Sequence, residues 1–272
     1  MTKIGDMRAA VLELLREHER DRMLPTSARF LFYELVMRGT VSKQGARPDR
    51  YVSAALTDLR EDDTVPWEWV VDETRSIEDY TGHQSIMDGV ADALPQFVLD
   101  PWRGSPPMVI TESRSLAGVL RSVVDEYRVR VASTNGSCSG FLHTKVAPTM
   151  EPGDRIIYLG DLDLVGDQIE DHTRSVLERD VGGDLEWERL ALTQAQVQRY
   201  RLPSVVKRDR RYKGIGGVHE AWECEAISQR ILVDTLRTRL EALLPEPLDR
   251  VHGRELRQRR KVAAMLRGET LW

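Results

Sequence analysis

The N-terminal third of the chain repeats apolar positions with a helical period. Residues 6–21, 27–38 and 48–61 each carry an apolar side chain every three or four positions, a spacing typical of amphipathic helices. Residues 65–72 alternate between apolar and polar positions, which predicts a strand or one arm of a hairpin. Three short helices followed by a β wing form a winged helix-turn-helix. We therefore predict a winged-helix DNA-binding domain over residues 1–100.

The pattern changes after residues 100–107, a Pro- and Gly-containing segment that reads as a linker. Beyond it, short apolar runs alternate with amphipathic stretches, and we predict strands at 108–112, 128–133, 155–160 and 186–192 and helices at 114–126, 139–147 and 166–179. Alternation of this kind predicts a parallel sheet with helices on both faces. The predicted fold class is α/β, with a second domain over residues 108–272 that ends in helices at 219–243 and 249–268.

Composition limits the functional classes. The chain has 272 residues, of which 41% are hydrophobic and 31% charged, and its net charge is -5. Because the whole chain is mildly acidic, any contact with nucleic acid must come from a local basic face. The two cysteines are far apart, which argues against a disulfide scaffold or a structural zinc site. Without a signal-like or membrane-spanning apolar run, we expect a cytoplasmic protein with no membrane partner.

Carboxylates follow two of the predicted strands. Glu112 ends one apolar run, and Asp161 and Asp163 end another. Side chains at positions i and i+2 of a strand point the same way, so two strand ends can bring three carboxylates together. Such crowding is costly unless a hard divalent cation neutralises it. We predict a Mg²⁺ site, with Mn²⁺ as a substitute, held by Glu112, Asp161 and Asp163. The alternative for Asp163 is a cap of the helix that begins near Gly166.

Basic side chains cluster in two places. Arg47 and Arg50 lie at the start of the third predicted helix, and in a winged helix they would contact DNA phosphates; a solvated helix face is the alternative. The segment 199–213, which we predict to be a loop, combines tyrosines with concentrated positive charge, and we expect it to contact the DNA backbone rather than to be a plain exposed loop. Its basic candidates are Lys207, Arg208, Arg210, Arg211 and Lys213.

An ordered set of motifs between residues 26 and 240 resembles one family. The motifs are Arg29-Phe-Leu-Phe-Tyr33, Val65-Pro-Trp67, Asp72-Glu-Thr-Arg75, Thr111-Glu112, Asn135-Gly136, Gly160-Asp-Leu-Asp-Leu-Val-Gly166, Arg189-Leu-Ala-Leu-Thr193, Arg201-Leu-Pro203 and Glu223-Cys-Glu-Ala226. They resemble the Toprim proteins related to the topoisomerase VI A subunit and the meiotic double-strand-break transesterases. The likeness is stronger still to small bacterial and phage proteins that join a winged helix to a Toprim domain.

The resemblance implies roles for particular residues. In the family, a tyrosine four residues after an arginine attacks a DNA phosphate, and Arg29 and Tyr33 have that spacing. It implies that Tyr33 forms a 5′-phosphotyrosine while Arg29 stabilises the phosphate. Glu112 would alternate between metal ligand and general acid. Two departures are Ser113, where the family usually has Lys, and Leu164-Val165, where it usually has Asp-Pro.

The resemblance also implies partners: double-stranded DNA, a second copy of the chain in a homodimer, and a separate ATPase subunit. The Gly-rich 214–217 segment lacks the Gly-Lys-Ser/Thr of a P-loop, so we expect no ATPase site in this chain. Two alternatives to tyrosine chemistry stay open. In one, Tyr33 is a core residue and the protein is a hydrolytic Toprim nuclease of the plasmid- or phage-defence type with a metal-activated water. In the other, it is a non-catalytic DNA-binding subunit.

Overall fold

Three helices form the N-terminal part of the protein. The computed structural model describes residues 3–43, 49–70, 82–136, 138–208 and 218–266. The helices are α1 (Lys3–Arg20), α2 (Ala28–Met37) and α3 (Arg50–Glu61), and they pack against one another. The Ser27 hydroxyl accepts the Phe30 N–H at 3.2 Å and thereby caps α2. The predicted helices at 6–21, 27–38 and 48–61 are confirmed over the described residues.

The predicted strand at residues 65–72 is wrong over its described part. A 3₁₀ turn spans Trp67–Trp69, and Val70 makes only an isolated parallel bridge with Thr26. The Trp69 N–H donates to the Pro66 carbonyl at 3.2 Å, a local bond that competes with strand pairing. Proline also lacks the N–H that a strand would donate. Residues 71 and 72 lie outside the described residues, and the described residues up to Val70 contain three α-helices and no regular strand.

A four-stranded parallel sheet forms the centre of the molecule, which makes the protein a mixed α/β structure. Its strands are β1 (Met108–Thr111), β2 (Arg130–Ser133), β3 (Arg155–Leu159) and β4 (Glu186–Ala191), in the spatial order β2-β1-β3-β4. The predicted strands and their parallel pairing are confirmed. Because β1 and β3 are neighbours in register, Thr111 lies beside Leu159, and the segments after both strands leave the same edge of the sheet.

Helices cover both faces of the sheet. Helix α4 (Ile86–Ala93) precedes β1, and the helices that follow the strands are α5 (Arg114–Glu126), α6 (Ser139–Phe141, continued by a π turn at Leu142–Val146), α7 (Leu164–Val181) and α8 (Gln194–Tyr200). Val109 and Ile157 belong to a core that continues into the N-terminal helices, whereas Ile110 and Ile156 face a second core with α7 and the π turn. This alternation is the strand periodicity of a sheet buried on both sides. The division into two domains stays a prediction.

The C-terminal region differs from the prediction. The predicted helix at 219–243 begins as strand β6 (Val218–Ala221), which pairs antiparallel with β5 (Val205–Arg208), and only α9 (Gln229–Leu243) is helical. The segment 199–213, predicted as a loop, therefore contains a strand. Helix α10 (Leu248–Leu266) matches the last predicted helix. None of the helices within the described ranges is long and apolar enough to cross a bilayer.

Candidate functional site

Two of the three predicted ligands meet at the edge of the sheet. Oε2 of Glu112 accepts the backbone N–H of Asp161 at 2.9 Å, and the Glu112 N–H in turn donates to the Leu159 carbonyl at 2.9 Å. Both acids line a cavity of about 170 Å³, together with Arg29 and Glu225. The parallel neighbours β1 and β3 thus bring residues 49 positions apart into direct contact.

Burial and mutual repulsion change the acidity of these two carboxyls. Burial, together with the negative charges of Glu225 and Glu112, raises the pKa of Asp161 to about 7. Burial likewise raises the pKa of Glu112, to which the charge of Asp163 adds. A hydrogen bond opposes the effect at each acid, since the Asp161 N–H donates to Oε2 of Glu112 and the Cys224 N–H donates to Oδ1 of Asp161, both at 2.9 Å. A bound cation would favour the ionised forms of both acids.

Asp163, the third predicted ligand, is already engaged by other groups. Its Oδ1 accepts the N–H groups of Val165 and Gly166 at 2.9 and 2.7 Å, so it caps α7 as the alternative interpretation proposed. Its Oδ2 lies 2.7 Å from Nζ of Lys207. Burial opposes ionisation, but Lys207 and the cap hydrogen bonds outweigh it and lower the pKa of Asp163. Asp163 is therefore a charged carboxylate that has an ammonium partner.

The donor chemistry fits a hard cation in part. No group of three or more His, Cys, Asp or Glu side chains in the described ranges is arranged to hold a metal ion. Glu112 and Asp161 supply two carboxylates whose charged forms are disfavoured by their surroundings, and hard oxygen donors suit Mg²⁺ or Mn²⁺. Asp163 would join them only after separation from Lys207. The fit is thus good for two ligands and conditional for the third.

Two further acids, Glu223 and Glu225, border the site and were not among the predicted site residues. Arg29 lies between them, with its guanidinium 2.9 Å from Glu223 and 3.2 Å from Glu225. Glu225 is 1% exposed and accepts hydrogen bonds from the hydroxyls of Ser113 and Ser115 at 2.6 and 2.9 Å. Ser113, at the position where the family usually has Lys, therefore holds a buried carboxylate. The signal in the sequence that could have identified Glu223 and Glu225 is that they form a second pair of acids two residues apart.

Tyr33 is buried beside this acidic cluster. It is 4% exposed, its ring packs edge-on against Phe32 at 5.1 Å, and its hydroxyl donates to Glu223. Because α2 packs against the turn at Cys224–Ala226, Arg29 and Tyr33 both reach the acids of their own chain. The tyrosine therefore has the environment of a core residue with its hydroxyl at the edge of the site.

Lys43 is a further basic residue of this region that sequence reasoning missed. Its Nζ lies 4.6 Å from the centroid of the Tyr33 ring. Burial lowers the pKa of Lys43 to about 8, and the nearby positive charge of Lys207 contributes. A single lysine beyond the end of a helix carries no motif, so the sequence held no signal for it.

Few of the predicted DNA contacts can be located. Arg47, Arg210, Arg211 and Lys213 lie outside the described residues, and the same holds for the side chain of Arg208. Arg50 is exposed at the start of α3, with its guanidinium 4.4 Å from the centroid of the Tyr51 ring. Lys207 extends from β5 to Asp163 and so lies at the acidic site.

The site as a whole combines segments that are distant in sequence. Two strand ends supply acids, α2 supplies Arg29, and the hairpin of β5 and β6 supplies Lys207. The resemblance to Toprim proteins stays a prediction from the sequence motifs, since no protein-family model, curated protein or solved structure matches this chain.

Proposed function

We propose that the protein cleaves DNA strands in a reaction that depends on a divalent metal, as a winged-helix and Toprim protein of the topoisomerase VI A type. The observation that carries the proposal is the pair Glu112 and Asp161, two crowded carboxylates in one cavity that Arg29 also lines. Crowded acids beside a guanidinium suit a ligand that brings both cations and anions, such as a metal-bound phosphodiester. The motif order supplies the choice of DNA as substrate.

Each side chain has a role in this proposal. Glu112 and Asp161 would hold Mg²⁺ or Mn²⁺, which supplies positive charge to the entering and leaving oxygens of the phosphate. Arg29 would donate to a phosphate oxygen, and its contacts with Glu223 and Glu225 orient the guanidinium toward the cavity. Arg50, exposed at the start of α3, would contact the duplex backbone.

Tyr33 is the proposed nucleophile. Attack of its oxygen forms a bond to phosphorus and breaks the bond from phosphorus to the deoxyribose 3′ oxygen, which takes a proton from Glu112, the proposed general acid, as it leaves. The phenolic proton passes to Glu223, which already accepts the hydrogen bond of that hydroxyl. The chain then carries a 5′-phosphotyrosine.

A second candidate is hydrolysis, in which water attacks the phosphate and Tyr33 only positions Glu223. The specific observation in its favour is that Tyr33 is 4% exposed, with its hydroxyl already bonded to Glu223. Attack by the tyrosine would require α2 to expose that oxygen to the substrate, whereas hydrolysis requires no such movement.

Plasmid cleavage tests the proposal and separates the two nucleophiles. Supercoiled plasmid is incubated with the protein and Mg²⁺ or Mn²⁺, quenched with SDS and analysed with and without protease. Protein-linked ends that vanish in Tyr33→Phe support the tyrosine, and free ends that persist in Tyr33→Phe support water. Asp161→Asn serves as the control that should cleave nothing. An intact plasmid under both metals, with DNA binding retained, would refute the proposal and favour a non-catalytic DNA-binding subunit.

The resemblance adds a homodimer and a separate ATPase subunit to the proposal. In the relatives, the tyrosine and the metal site that cut one strand come from different subunits. In this chain Arg29 and Tyr33 contact Glu223 of the same chain, which supports a site completed within one subunit. A dimer with two such sites would cut both strands of a duplex, and a monomer would leave nicks.

A further inference from the structure

Lys43 carries a charge that its surroundings do not neutralise. Its Nζ is buried, and within the described part of the chain it has no hydrogen-bond acceptor. A buried ammonium without an acceptor is costly, because it loses its hydration and gains little in return. The face of the Tyr33 ring, 4.6 Å away, offsets only part of that loss. Folding alone therefore does not explain this lysine.

The groups around Lys43 show where it lies. The positive charges of Lys207 and Arg29 disfavour its charged form, and the negative charges of Asp161 and Glu225 favour it. Both other cations have carboxylate partners at 2.7 to 3.2 Å. Lys43 thus lies over the ring of Tyr33 and belongs to the same group of interacting charges, and its ammonium is the one whose nitrogen has no acceptor in the described ranges.

We propose that Lys43 binds a phosphate group of the DNA strand immediately beside Tyr33. This inference rests on the proposed function, which it deepens by naming the residue that anchors the substrate. A backbone phosphate has several acceptor oxygens on one anionic group, so it can accept from Lys43 while another oxygen faces Arg29. A strand held in this way has the same phosphate directed toward the cavity of Glu112 and Asp161.

A purely structural lysine and a phosphate-binding lysine make opposite predictions. If Lys43 stabilises the fold through the Tyr33 ring, its neutralisation to methionine weakens the free protein and leaves DNA affinity unchanged. If it awaits a phosphate, Lys43→Met removes an uncompensated charge, so the free protein unfolds at a higher urea concentration while DNA binding weakens. Two measurements on one variant therefore distinguish the two roles.

The test compares Lys43→Met and Lys43→Arg with Lys145→Met, which removes an exposed charge on the turn at Leu142–Val146. Binding of a short fluorescent duplex is measured by anisotropy in EDTA over a series of salt concentrations. We expect Lys43→Met to bind about 3- to 10-fold more weakly, with a salt slope smaller by about 0.9, the value of one lost phosphate contact. Lys43→Arg should restore both quantities, and Lys145→Met should match the wild type.

Other outcomes overturn the inference. Unchanged DNA affinity and an unchanged salt slope in Lys43→Met would overturn it. A Lys43→Met protein that is destabilised but binds DNA normally would also overturn it. At equal ionic strength, inorganic phosphate should displace the duplex no better than chloride does. Phosphate-specific displacement that is lost in Lys43→Met would assign the residue to free phosphate instead. Since EDTA prevents metal-dependent cleavage, this test can fail while plasmid cleavage succeeds, or succeed while cleavage fails.

Discussion

Neutralising Asp161 should stabilise the free protein while removing its metal binding. Burial and the charges of Glu225 and Glu112 raise the pKa of Asp161 from 3.8 to about 7. Each pKa unit corresponds to about 1.4 kcal/mol, so at pH well above 7 the ionised carboxylate costs the fold up to about 4 kcal/mol. In Asp161→Asn the amide oxygen can still accept the Cys224 N–H at the position of Oδ1. The variant keeps the hydrogen bond and loses the charge.

The sign of the pH dependence follows from the direction of the shift. A carboxyl with a raised pKa binds its proton more tightly in the folded protein, so its cost is absent below about pH 3.8 and grows as the pH rises to about 7. Urea denaturation should show an excess stability of Asp161→Asn of at most about 2 kcal/mol at pH 5 and about 4 kcal/mol at pH 8.5. Asp171→Asn, on an exposed position of α7, should follow the wild type.

Divalent cations supply the second half of this test. Mn²⁺ at one hundred times its dissociation constant should stabilise the wild type by about 2.7 kcal/mol and leave Asp161→Asn unaffected. A variant less stable than the wild type at pH 8.5, or an excess that does not change with pH, would refute the argument from crowded acids. Equal stabilisation of both proteins by Mn²⁺ would refute Asp161 as a ligand.

Further predictions concern the neighbouring groups. Lys207→Gln should raise Mn²⁺ affinity several-fold in electron paramagnetic resonance titrations, because the ammonium 2.7 Å from Asp163 competes with a cation; lower affinity contradicts this. A mixture of Tyr33→Phe and Asp161→Ala subunits should stay inactive in plasmid cleavage if each site is completed within one chain, and recovered activity would indicate sites shared between subunits. Gly166→Ala should lower the urea midpoint and weaken Mn²⁺ binding, because its Cβ would clash with the Asp161 carbonyl; wild-type values would contradict that contact.

The regular elements were largely predictable, because they depend on local periodicity. The apolar spacing of α1 and α5 and the short buried runs of β1 and β3 each determine one element from adjacent residues. The position of the candidate site at one edge of the sheet was also predictable, because neighbouring parallel strands end at the same edge. The strand prediction at 65–72 was wrong because a local turn, in which the Trp69 N–H donates to the Pro66 carbonyl, forms where the alternating pattern predicted strand pairing.

The missing parts of the site depend on contacts between distant segments. Glu223 and Glu225 reach Arg29 only because α2 packs against the turn at Cys224–Ala226, some 190 positions away, and no local pattern encodes that approach. The same holds for Lys207. Its place in a basic run predicted a DNA contact, but in the hairpin of β5 and β6 its side chain contacts Asp163. Charge patterns identified the residues but not their partners.

A crystal soaked in Mn²⁺ would show whether the cavity bordered by Glu112 and Asp161 binds a divalent cation. We expect an anomalous difference peak about 2.1 Å from a carboxylate oxygen of each residue, with Lys207 displaced from Asp163 if that acid joins the site. Mn²⁺ bound elsewhere at saturating concentration, with no peak between Glu112 and Asp161 and Lys207 still paired, would contradict it.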